Sequence, residues 1–120
     1  MPGWTKGDSE MLVIFQSKAA GDVIMFGDVA YRMMEIMGKE KAARGIVTVE
    51  QLPDAIARLK AAIAKDKAAR AGLGEDDLPQ LEEAPDGAKR AYVSLTQRAV
   101  PLIELLELSL LKNVPVVWGV

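Results

Sequence analysis

VSLTQRAVPLIELLELSLLK, residues 93–112, decides the fold. Ser94 followed three residues later by Gln97 makes a capping box, in which each side chain bonds the other residue's backbone N–H. Leu95, Ala99, Leu102, Leu106 and Ser109 then recur at heptad spacing. Val100, Ile103, Leu105, Leu108, Leu110 and Leu111 leave few polar positions, which predicts a helix enclosed by protein on most sides. Pro101 removes one backbone bond inside this helix and is expected to kink it. Asn113 stops it, and residues 114–118 read as a final strand that Pro115 directs to a sheet edge.

Working outward, residues 45–49 (GIVTV) admit a short strand or the start of a helix, and a second capping box at Thr48 and Gln51 favours the helix. Val49, Leu52, Ile56, Leu59 and Ile63 form one stripe with Arg58 and Lys65 opposite, predicting a helix that runs to Ala69. Pro53 lies early, where its missing N–H costs least. From Asp22 onward, Val23, Phe26, Ala30, Met33, Met34 and Met37 follow i, i+3, i+7 spacing, which predicts a first helix closed by Gly38. Ahead of it, residues 12–15 (LVIF) are short, apolar and closed by Gln16-Ser17-Lys18, and read as a strand covered on both faces.

The expected order is therefore β-α-α-α-β, an α+β domain with a three-helix layer and a small sheet formed by the N- and C-terminal strands. Alternating helix directions would leave those two strands parallel. An isolated two-stranded sheet is marginal in water, so the helices, a third strand at residues 46–48 or a second copy of the chain must support it. Residues 72–87 combine glycine and proline with Glu75, Asp76, Asp77, Glu82, Glu83 and Asp86, and too few apolar side chains to offset ordering; a mobile acidic loop is expected there. Residues 1–10 are expected to be a disordered tail, and 11–120 a single domain.

Half of the 120 residues are hydrophobic, enough for a core without disulfide or metal support. The formal charge is −2 with both signs mixed along the chain, which favours neither nucleic acid nor an anionic membrane as partner. The absence of histidine and cysteine removes the usual neutral-pH base, the thiol nucleophile and the common zinc ligands. No stretch approaches the roughly 20 apolar residues of a membrane span. A soluble, cytoplasmic protein without cofactor, metal or catalytic residues is the expectation.

Each candidate site has a plain alternative. Glu104 and Glu107 share a helix face and could hold a divalent cation, or simply face solvent or pair with Arg98. Asp28, Tyr31 and Arg32, with Glu104, could build a polar pocket for acid–base work, whereas Asp28 and Arg32 at i, i+4 could be a surface ion pair. Met25, Met33, Met34 and Met37, with Ile36, give the first helix more apolar perimeter than one neighbour covers, either as core filler or as a protein interface. Lys60, Lys65, Lys67 and Arg70 do not share one face and read as solvated. Residues 75–83 lack the ligand spacing of a calcium loop.

FQSKAAGDVIMFGDVA (residues 15–30), GIVTVEQLPDAIARLKAAI (45–63), VSLTQRAVPLIELLE (93–107) and the VVW ending at 116–118 resemble the bacterial domain-of-unknown-function family 1840, short proteins without an assigned activity. The stretch from Arg98 to Glu107 carries the resemblance most specifically. It implies a stand-alone bacterial fold with no catalytic residues to carry over. The reading that follows is a non-catalytic protein–protein interaction module, able to self-associate as a homodimer. Its surface would combine the Met-rich first helix, the Leu-rich last helix and an open strand edge. The alternative is a small-ligand binder or enzyme using the Asp28, Tyr31, Arg32 and Glu104 pocket.

Overall fold

The computed structural model describes residues 12–69, 81–84 and 87–119. The expected tail at 1–10 and the stretches 72–80 and 85–86 of the expected loop lie outside the described residues. Among the described residues the secondary-structure segments are, in order, β1 (Leu12–Ser17), β2 (Ala20–Phe26), α1 (Gly27–Ile36), β3 (Gly45–Val47), a 3-10 turn (Val49–Gln51), α2 (Leu52–Ala69), β4 (Leu81–Glu83), β5 (Lys89–Ala91), α3 (Leu95–Lys112) and β6 (Val116–Trp118). The mixed α+β class with three helices agrees with the sequence reading, but the order does not.

The first difference is β2. Residues 22–26 form a strand rather than the first turns of a helix, because β1 supplies an antiparallel partner one short turn away: Leu12 faces Phe26, Val13 faces Met25 and Ile14 faces Ile24. The Ser17 hydroxyl accepts from the Ala19 N–H at 3.1 Å and tightens that turn. The helical spacing from Val23 to Met37 straddles the junction of a strand with α1 and mimics a single longer helix. Phe26, which that spacing assigned to the core, is 42% exposed. Past α1, Gly38 adopts φ +81, and the amides of Gly38 and Lys39 bond back to Glu35 and Met34 in the cap a positive φ permits.

The main sheet runs β2-β1-β6-β3. The terminal strands do pair, but antiparallel rather than parallel, and β6 lies inside the sheet rather than at its edge. Residues 45–47 are the third strand that the reading left open, and the capping box follows it immediately: Gln51 Oε1 accepts from the Thr48 N–H at 3.1 Å. Trp118 explains the close fit of β3. Its side chain is 1% exposed, lies 5.6 Å from the Phe15 ring centre, and donates its indole N–H to the Ala42 carbonyl at 3.0 Å. A Cβ on Gly45 would collide with that indole, so only glycine allows the approach.

One face of the sheet packs on the helices through Val13, Phe15, Met25, Val47, Val116 and Trp118, against Met33, Met34, Leu52, Leu59, Leu102 and Leu106. Helix α3 forms where the sequence predicts and runs unbroken through Pro101, but it is buried on one side only: Val100, Leu108, Leu110 and Leu111 are exposed, so protein does not enclose it on most sides as expected. Its cap is as read, with the Ser94 hydroxyl accepting from Gln97 N–H at 3.2 Å. Asn113 ends it in the left-handed region at φ 61. Ser109 is fully buried and its hydroxyl donates to the Leu105 carbonyl at 2.6 Å; having spent its one proton, it accepts from Ser17 at 2.7 Å. The molecule's shortest dimension is 23 Å.

Candidate functional site

Among the described residues the outward side chains of the main sheet are exposed, and most of them are apolar. Alternation places Leu12 and Ile14 of β1, Ile24 and Phe26 of β2, and Ile46 of β3 outward, and all five are exposed, Ile24 at 59%. Cross-strand neighbours are apolar on both sides: Leu12 with Phe26, Ile14 with Ile24, Ile46 with Val117. Gln16, opposite Val117, is the one polar outward residue between them, and Asp22 stands at the margin.

This face continues around β2, an edge strand by its place in the sheet. Alongside β2 lies a groove of about 760 Å³, walled by Asp22 to Phe26 on one side and by Val93, Gln97 and Pro101 from α3 and its approach on the other. Pro101 has no N–H to give the Gln97 carbonyl, so a backbone acceptor in the groove wall lacks its helical donor.

Arg90 and Arg98 close one end of the groove. Arg90 reaches it from the β4–β5 hairpin, where Glu82 faces Arg90 across the pair of strands. Its guanidinium holds Asp28 with two bonds, 2.6 and 3.3 Å, and Glu82 at 2.7 Å, while lying 4.9 Å over the Phe26 ring. Arg98 donates to both oxygens of Glu82 at 2.7 Å and to the Val93 carbonyl at 3.0 Å; the Val93 N–H donates to Glu82 at 3.2 Å. Burial alone would raise the Glu82 carboxyl, but the bonds from Arg90, Val93 and Arg98 outweigh it and hold it below the usual glutamate value. The bonds to Asp28 make Arg90 a firmer cation than usual, against its burial and with help from Glu82. The four charges balance, and the network clamps the hairpin to the starts of α1 and α3.

The residues singled out from sequence are dispersed. Met25, Met33, Met34 and Met37 are buried in the core, and Ile36 is half-buried against it, so the supposed methionine interface is interior. Helix α1 lies under the sheet, and the four methionines fill the irregular space between them. Asp28 and Arg32 line a small cavity of about 180 Å³ with Glu82, Arg90 and Arg98, but Tyr31 and Glu104 do not line it. Asp28 pairs with Arg90 rather than Arg32. Arg98 pairs with Glu82, Glu107 pairs with Lys60 at 2.8 Å, and Glu104 is exposed. Among the described residues no group of three or more acidic side chains is placed to hold a metal ion, and no helix is long and apolar enough to cross a membrane.

In the sequence Glu82 reads only as part of the expected acidic loop at 72–87, and Arg90, just beyond it, is not singled out. The signal was present as Ala84-Pro85-Asp86-Gly87-Ala88, a turn sequence between two short segments of opposite charge. Gly87 has φ +88, and Ala84 and Ala88 are joined by a backbone bond of 2.8 Å.

The sequence pattern of the family described as Domain of unknown function (DUF1840) matches residues 11–118, and the chain belongs to that family. No curated protein and no solved structure matches the chain significantly.

Proposed function

We propose that the protein is a non-catalytic protein–protein interaction module that works through the outer face of its main sheet and the adjoining β2 edge. The observation that supports this most is the uncovered row of Leu12, Ile14, Ile24 and Phe26 on paired strands. Exposed apolar residues scattered singly are ordinary, whereas a contiguous set on one rigid face marks a contact surface. The ligand-binding or enzyme reading has less behind it: Asp28 is engaged by Arg90, and Glu104 and Tyr31 lie away from the small polar cavity. The exposed leucines of α3, Leu108, Leu110 and Leu111, form a rival patch.

Capture from an extract of the native host tests the reading with the wild-type chain and two charge insertions. Ile24→Lys on the sheet is expected to lose the associations that the wild type makes, and Leu111→Lys on α3 to keep them. Loss with Leu111→Lys alone moves the surface to α3. A wild-type chain that binds neither itself nor any other protein contradicts the proposal.

A further inference from the structure

We infer that β2 is the seat of a symmetric dimer, in which two copies pair their β2 edges antiparallel and extend the sheet from four strands to eight. The inference rests on the interaction reading above and names its partner as a second copy.

Three features carry it. Natural edge strands are usually kept short, or interrupted by proline, lysine or a bulge, to prevent pairing. The opposite edge, β3, has three residues, but β2 has seven with no proline and no lysine; its one extra residue lies at Gly21–Asp22, opposite Gln16, and leaves Val23–Phe26 in regular register. Its centre, Val23-Ile24-Met25-Phe26, is uncharged.

The groove beside this edge has the size of a strand. Strands spaced at about 4.8 Å, packed about 10 Å from the next layer and rising about 3.3 Å per residue occupy about 160 Å³ per residue. A groove of about 760 Å³ therefore holds about five residues by that spacing, enough for the Asp22–Phe26 stretch of a second β2.

Charge selects the occupant and its direction. Asp22 is exposed and its carboxylate makes no ion pair or hydrogen bond among the described residues. At the other end of the same edge, Arg90 lies over Phe26 and faces the groove. An antiparallel pairing with Ile24 opposite Ile24 sets Asp22 of each copy against Phe26 of the other, and so beside Arg90. A parallel pairing would place like against like. A two-fold axis repeats the contact twice, as an isologous interface requires, and the apolar centre meets itself without charge conflict.

The absence of native cysteine makes the test clean. Single substitutions Ile24→Cys, Ile14→Cys and Leu111→Cys, all at exposed positions, are oxidised mildly across a micromolar concentration series alongside sedimentation of the unmodified full chain. Residues directly opposite in an antiparallel pair lie about 4.5–5.5 Å apart at Cα, within disulfide reach. Ile24→Cys is expected to cross-link to a covalent dimer while Ile14→Cys and Leu111→Cys give no covalent dimer. Asp22→Arg, in the otherwise native chain, is expected to weaken the dimer about tenfold by opposing Arg90. A dimer that cross-links through Ile14→Cys but not Ile24→Cys overturns edge pairing and leaves the interaction module standing, with its sheet faces stacked. A monomer throughout overturns edge pairing, and the capture experiment then decides the broader reading alone. An unchanged dimer in Asp22→Arg overturns the antiparallel register.

Discussion

Glu82 shows how one side chain can hold an irregular part of a fold. Its two oxygens accept from Arg90, Arg98 and a backbone amide, and its carboxyl is thereby lowered from an ordinary value of 4.5. A group with a depressed folded-state value contributes its full stabilisation above the ordinary value and loses it as the pH falls through the lower one. Glu82→Gln is expected to cost about 1–3 kcal/mol at neutral pH and to flatten the acid side of the stability curve. Urea unfolding at neutral and acidic pH checks both. A variant with the acid limb of the wild type would show that the carboxylate is not the group titrating. Gly45 makes a second residue-scale prediction. A methyl group there meets the Trp118 indole, and overpacking of this kind costs about 1–3 kcal/mol; thermal unfolding of Gly45→Ala is expected to show it, with Gly21→Ala, where nothing lies nearby, as the neutral control.

At the scale of elements, what was legible is what local chemistry decides. The capping boxes at Ser94 and Thr48, the stops at Gly38 and Asn113 and the apolar stripes of α2 and α3 all depend on neighbours within a few residues, and all occur in the structure. Ser94→Ala should remove about 1 kcal/mol by leaving the Gln97 amide without its acceptor; chemical unfolding measures it, and no change would mean that Gln97 alone satisfies the cap. What was not legible depends on partners distant in sequence. Residues 22–26 have a spacing consistent with a helix, and they become a strand because β1 lies beside them. The direction of β6 is set by β1 and β3 on its two sides, which alternating helices could not reveal. The candidate pocket failed for a related reason. Asp28 finds Arg90, 62 residues away, in preference to Arg32 on its own helix, because a bidentate guanidinium in a half-buried setting outcompetes a solvated i, i+4 neighbour.

For the whole molecule, the decisive fact is that, among the described residues, the helices pack on one face of a four-stranded sheet and leave apolar side chains exposed on the other. The methionines are consumed in filling the covered side, and the apolar surplus lies instead on β1 and β2. Ile24→Lys removes exposed apolar area without touching the core, so the account expects a folded chain of near wild-type stability, within about 0.5 kcal/mol, that has lost its associations. Calorimetry beside sedimentation separates these two effects, and a variant that unfolds would return Ile24 to a structural role.

Backbone hydrogen exchange of residues 20–26 as a function of protein concentration tests the central claim most directly. The account predicts that the outward amides of β2 exchange readily in dilute solution and become protected as concentration rises, while those of the last turn of α3 do not change. Exchange along β2 that is indifferent to concentration and to added partner would contradict it.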